Sequence, residues 1–193
     1  MSVAIVKYNA GNICSVQNAL RRMGCQSQVT DDPHALQTAD KVIFPGVGEA
    51  STAMRYLQEH GLDVLIKSLQ QPVLGICIGL QLMCRHSQEG DVDGLGIFDA
   101  QVKRFESAVH KIPHIGWNTI HNLSSPLFKG INEDTFVYYV HSYYATGTGV
   151  IATTNYIHPY AAALHKNNFY AVQFHPEKSA DVGETVLKNF LAL

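Results

Sequence analysis

Residues able to run acyl transfer stand at two places in the chain: a cysteine within Gly75-Ile76-Cys77-Ile78-Gly79, and a histidine and glutamate within His175-Pro176-Glu177. The first has the form G-x-C-x-G, the thiol version of a nucleophile elbow, in which a strand turns abruptly into a helix. Glycines two residues to either side relieve crowding at that turn, and the helix N-terminus offers free N–H groups and a dipole that favour a thiolate. The second supplies a general base with its orienter. Residues i and i+2 of an extended segment point the same way, and Pro176 discourages helix at His175. Glu177 can therefore hold the imidazole, fix its tautomer and stabilise the imidazolium.

Each motif also has an ordinary reading. Free cysteine is among the most buried residue types and behaves as a small hydrophobe, and His-Pro-Glu alone is also a strand-end histidine in a proline turn. A third element is needed, a set of N–H donors for the oxyanion. "IFPGVGEA" (43–50) offers unhindered backbone at Gly46, Val47 and Gly48 after a strand end, although it also reads as a common glycine-rich turn.

The elements that must position these residues follow from periodicity. "VAIVKY" (3–8) reads as a buried strand, "NAGN" (9–12) as a turn, and 13–23 as a helix stopped by Gly24. "SQVT" is a short strand, "DDPHAL" a helical turn with an aspartate cap and Pro33 in its first turn, and "KVIFPG" a third strand. Helical patterns cover 49–60 and 62–70; "PVLGI" (72–76), apolar on both faces, suits a central parallel strand, and 78–86 returns to helical period. Alternation of β and α through residue 86 predicts an α/β fold: a parallel sheet with helices on both faces and ligands at the carboxyl ends of the strands. Beyond Gly90 a glycine-punctuated loop, "GDVDGLGIFD", leads into β-rich segments, "AQVKRF", "WNTIHN", "TFVYYVHSYYA", "GVIATTN", "YAAALHK" and "FYAVQF", expected as antiparallel additions and hairpins. "SADVGETVLKNFLAL" closes the chain as a helix capped by Ser179.

The 193 residues, 46% apolar and 16% charged with a net charge of −2, predict one domain with a large core, spanning 1–193. No basic field supports nucleic-acid binding, and neither a signal segment nor a membrane span is expected, which suggests the cytoplasm. The spacing of Cys14, Cys25, Cys77 and Cys84 matches no zinc ribbon, and all four are expected reduced. His110 and His114 are separated by Pro113, which breaks a helical metal pair, so no metal is expected. "GDVDGLG" lacks a calcium loop's spacing, and "NAGN" lacks the dinucleotide glycines.

"GICIGLQ", "HPEKS" and "PGVG" together resemble the class I (triad) glutamine amidotransferases. With "PHIGWN" (113–118) and "VHSYY" (140–144), the chain is similar over essentially its whole length to one branch of that family, the glutaminase subunits of imidazole glycerol phosphate synthases. The resemblance implies a three-layer fold with a mixed, mostly parallel sheet and antiparallel hairpins in the second half. It implies Cys77 as nucleophile, His175 as base and acid, and Glu177 as orienter. Gly46, Val47, Gly48 and the Ile78 N–H would form the oxyanion hole, and Gln81, Ser142 and Tyr143 would hold glutamine. No cofactor is implied. The implied partner is a (β/α)8-barrel cyclase forming a heterodimer, with Asn12, Trp117, Tyr138, His141 and Lys178 on or near the docking face. Tyr138 and Trp117 are equally read as a strand aromatic and a core anchor. Three alternatives stand beside this one: the glutaminase of another synthase, such as that for pyridoxal phosphate, a cysteine hydrolase with a different acyl substrate, and a regulatory module that kept the fold without activity.

Overall fold

The computed structural model of the chain describes residues 1–8 and 11–193, so the first two residues of the turn expected over 9–12 lie outside the described residues. Short runs punctuated by turn residues, mostly apolar except in the edge strand β2, form β1 (Val3–Val6), β2 (Ser27–Thr30), β3 (Lys41–Phe44) and β4 (Val73–Ile76). Between and after them lie α1 (Ile13–Arg22), α2 (Pro33–Thr38), α3 (Ala50–Glu59), α4 (Leu62–Ser68) and α5 (Ile78–Met83). Asp32 caps α2 as expected, accepting a hydrogen bond from the Ala35 amide at 2.8 Å. The second half contributes β5 (His86–Ser87), β6 (Val92–Asp93), β7 (Ala100–Arg104), β8 (His114–Ile120), β9 (Thr135–His141), β10 (Tyr143–Gly147), β11 (Val150–Asn155), β12 (Pro159–Lys166), β13 (Phe169–Val172) and α6 (Ala180–Leu191).

The main sheet runs β11-β12-β13-β4-β3-β1-β2. Its strands from β13 to β2 pair in parallel, whereas β12 and β11 are added antiparallel. Period-2 alternation divides the strands between two cores. Val42, Phe44 and Val73 pack with α2, α3, α4 and α5 on one face, and Ile43, Leu74 and Ile76 pack with α1 and α6 on the other. Two smaller sheets stand beside it, β10-β7-β5-β6 and the ribbon β8-β9.

Four boundaries differ from those expected. The helix predicted over 78–86 stops at Met83, because Cys84 turns extended and Arg85 begins a ladder, its amide donating to the Ala100 carbonyl at 2.9 Å. The glycine-rich stretch after Gly90 contains β6, which pairs antiparallel with β5. "TFVYYVHSYYA" is two strands broken at Ser142, since β9 pairs with β8 and β10 with β7. Ser179 sits at the start of α6 without capping it through its side chain. Its hydroxyl instead donates to the His175 carbonyl at 2.7 Å and accepts from the Tyr138 amide at 2.9 Å.

The turn from β4 into α5 is the feature on which the site is built, and its glycines act through space. A Cβ at Gly79 would lie 2.0 Å from the Phe44 carbonyl oxygen of β3, and one at Gly75 would lie 3.0 Å from the Met83 sulfur. Helix α5 thus rests on β3 only because position 79 has no side chain. Gly79→Ala is expected to destabilise the chain by about 1–3 kcal/mol, as overpacking against backbone does, and urea unfolding would measure this; an unchanged midpoint would mean that α5 can shift without cost.

Candidate active site

Cys77 is the residue at which strand becomes helix, with φ 54° and ψ −107°. Its amide donates to the Val172 carbonyl of β13 at 2.8 Å, and its own carbonyl accepts from the Leu80 and Gln81 amides at 3.1 and 3.3 Å. The backbone is therefore pinned from both sides while the side chain, 6% exposed, faces a cavity of about 240 Å³. Val47, Gly48, Ile78, Gln81, Ser142 and Tyr143 line that cavity with it. The Ile78 amide opens α5 and has no acceptor within the helix.

Three residues beyond the end of β13, His175 is fully buried. Its amide donates to the Tyr138 carbonyl at 2.9 Å. Residues Pro176–Lys178 form a 3-10 turn, so Glu177 reaches the imidazole across a turn and not along an extended strand as the i, i+2 argument supposed. The contact itself is the one expected: His175 Nδ1 lies 2.7 Å from Glu177 Oε1. With Nδ1 committed to the carboxylate, Nε2 is the nitrogen left to exchange a proton, and it is buried without a hydrogen-bond partner among the described residues. Burial works against charge on this imidazole, but the Cys77 sulfur and the Glu177 carboxylate outweigh it and raise the pKa from 6.5 to about 10. A thiol, an imidazole that readily holds a proton and a buried carboxylate are thus assembled in the order that nucleophilic acyl transfer requires.

Asn12, expected near a docking face, turns inward. It starts α1 in a left-handed conformation, with its side chain leaving the helix uncapped. Its amide instead donates to Glu177 Oε1 and lies 3.5 Å from His175 Nδ1. His141, also expected at the docking face, is buried at 6% exposure and lines the cavity. Burial pushes its pKa down to about 3 and that of His114 to about 4, so both rings are neutral. His141 Nδ1 donates to the Tyr143 carbonyl at 2.7 Å, leaving Nε2 to accept from the Tyr160 hydroxyl at 3.1 Å.

The other three residues expected at the docking face share one surface. Trp117 is 52% exposed and packs edge-on against Tyr138, with ring centroids 6.0 Å apart, and Lys178 Nζ lies 6.0 Å above the Tyr138 ring. Gly46 does not line the cavity; it seats the loop. A Cβ there would fall 2.0 Å from the Tyr8 hydroxyl oxygen, which donates to the Pro45 carbonyl at 2.6 Å.

Sequence reasoning passed over Tyr8, Glu89 and Gln173. Glu89, on the cavity wall, accepts from the Ala50 amide at 3.0 Å, and burial raises its pKa. Gln173 is fully buried and places Nε2 3.6 Å from the Cys77 sulfur. Its signal was available as the one amide in the apolar run 171–174, two residues before His175.

The raised pKa of His175 carries a sign for stability. A base that binds its proton more tightly when folded adds stability that is whole below pH 6.5 and is lost as the pH climbs through about 10. Glu177→Gln removes part of that effect. Urea titrations across this interval are expected to show a shallower fall in unfolding free energy for the variant than for the wild type; parallel profiles would contradict the coupling.

Residues 5–193 match the family described as glutamine amidotransferase class-I. The imidazole glycerol phosphate synthase subunit HisH of Bacteroides fragilis is 61% identical to this chain over 196 aligned positions covering 100% of both, and its counterpart in Escherichia coli K12 is 43% identical over 100% of both. Among solved structures, a putative GMP synthase subunit from Thermoplasma acidophilum superposes with a TM-score of 0.78 at 20% identity, over 100% of this chain and 92% of that one, a likeness of fold. A family match from residue 5 to 193, together with relatives of matching length at 61% and 43% identity, leads to one conclusion: the chain belongs to the class-I glutamine amidotransferases.

Proposed function

We propose that this chain is the glutaminase subunit of an imidazole glycerol phosphate synthase, releasing ammonia from glutamine for histidine biosynthesis. The observation that carries the chemistry is Cys77, at a strained elbow facing the cavity, with its sulfur acting on the buried His175, whose Nδ1 lies 2.7 Å from Glu177. The Cys77 sulfur attacks the γ-carboxamide carbon, and the Ile78 amide and the loop at Val47 and Gly48 receive the oxyanion. His175 takes up the thiol proton and passes it to the leaving nitrogen, so that ammonia departs and a glutamyl thioester remains. Water, deprotonated by the same imidazole, then cleaves the thioester to glutamate and free thiol. Gln81, Ser142 and Tyr143 hold the amino-acid end of the substrate, and the Glu89 carboxylate on the cavity wall suits its ammonium group. Four free thiols suit the reducing cytosol.

Ammonia needs a consumer, and we propose a (β/α)8-barrel cyclase docked on the outer face of the β8-β9 ribbon. Cross-strand register puts Ile115 beside Val140, Trp117 beside Tyr138 and Thr119 beside Phe136. Ile115, Trp117 and Phe136 are 61%, 52% and 57% exposed, an apolar stripe open to solvent. The same ribbon reaches the chemistry, since Tyr138 is bonded to His175 and Val140 lines the cavity. A partner seated there bears on the base and on the "PGVG" loop, and we propose that this ordering keeps the free subunit from wasting glutamine.

Mixing the chain with a candidate cyclase and comparing glutamine with free ammonia as nitrogen source tests the scheme. Cys77→Ala is expected to lose only the glutamine-dependent product; retention of it would remove Cys77 from the mechanism, and fast glutamine hydrolysis by the chain alone would remove the gating. Trp117→Ala should weaken association by about tenfold or more, as loss of an interface aromatic does. Titration calorimetry showing equal affinity would move the docking face elsewhere.

A further inference from the structure

Gln173 is a fully buried side chain at the nucleophile that the scheme above leaves unused. Its amide orientation follows from a chain of partners. The Tyr143 carbonyl can only accept; it lies 2.9 Å from the end of Gln81, which must therefore present its NH2 group. That group has a second hydrogen, and it points to Gln173 at 3.0 Å, so the atom of Gln173 facing it must be the oxygen. The opposite atom, Nε2, is then the one 3.6 Å from the Cys77 sulfur, within reach of an N–H···S hydrogen bond. The backbone holds the arrangement, with the Gln173 amide donating to the Ala162 carbonyl at 2.8 Å. Tyr143 is fixed in turn, its carbonyl also accepting from His141 at 2.7 Å.

We propose that Gln173 is a hydrogen-bond donor to the Cys77 sulfur, aimed by Gln81, and that this pair ties the wall of the substrate cavity to the charge state of the nucleophile. A donor to sulfur favours the thiolate over the thiol, because a charge-assisted hydrogen bond is roughly twice as strong as a neutral one. The Val140 carbonyl, 4.0 Å from the sulfur, can only accept a hydrogen bond and so favours the thiol. The inference rests on the function above only in taking Cys77 as the nucleophile.

The test is the pH dependence of Cys77 alkylation by iodoacetamide in the full-length chain, read at that peptide by mass spectrometry. Among the described residues, titratable groups that act on the sulfur include His175, Tyr8 and Tyr160, and none of these is altered in the variants. Gln173→Leu is expected to move the profile to higher pH and to slow alkylation near neutrality by about tenfold, the scale of one charge-assisted hydrogen bond. Gln173→Glu, which keeps the shape and the bond from Gln81, should move it further by facing the sulfur with a carboxylate, and Gln81→Leu should move it less. Profiles that superimpose on the wild type would overturn the proposal. Alkylation needs no glutamine, so that outcome would leave the glutaminase reading intact, whereas a chain inert toward glutamine would leave the alkylation result standing.

Discussion

A non-glycine residue at φ 54°, ψ −107° costs on the order of 1–3 kcal/mol, and the chain keeps Cys77 there through bonds that come from three elements. Strand β13 accepts its amide, the first turn of α5 donates to its carbonyl, and β3 supports the helix through a contact that only glycine permits at position 79. The position of Cys77 therefore depends on the central strands being in register. Because β13 also leads directly into Gln173 and His175, the pairing that holds the elbow sets the height of the imidazole beside it. One sheet edge thus delivers both partners of the proposed proton transfer.

The β8-β9 ribbon and His175 form a second coupled unit. Ser179 does not serve its helix; its hydroxyl bridges the Tyr138 amide and the His175 carbonyl, and the His175 amide returns a bond to the Tyr138 carbonyl. Tyr138 carries a ring on the exposed stripe and a backbone bonded to the base, so displacement of the ribbon is felt by the imidazole without an intervening element. On the opposite side Asn12 holds the Glu177 carboxylate from the start of α1. The carboxylate is thereby secured by a residue far away in sequence, so its environment does not depend on the short turn alone.

The first half of the fold was legible because its signals are local: apolar runs, the Asp32–Pro33 helix start and the glycines of the elbow. The elbow and the His-Pro-Glu turn carry their chemistry in residue type and close spacing, so Cys77, His175 and Glu177 could be picked out one by one. Orientation was harder to foresee. Asn12 and His141 look like surface polar residues in one dimension and are turned inward by contacts 165 and 19 positions away, with Glu177 and Tyr160. The end of α5 was missed because Arg85 follows a ladder with Ala100, a long-range pairing that overrides helical period. Gln173 was passed over because a single amide in an apolar strand has no local pattern, only a partner 96 residues distant.

The central claim is that a thiol held at this elbow attacks an amino-acid amide bound in the cavity beside it. A glutamine analogue carrying a diazoketone in place of the carboxamide puts an electrophilic carbon where the sulfur should strike. Peptide mapping of the labelled chain is predicted to find one adduct, on Cys77, whose formation slows as glutamine is added in excess. Labelling of Cys14, Cys25 or Cys84 instead, or of Cys77 without protection by glutamine, would contradict the account.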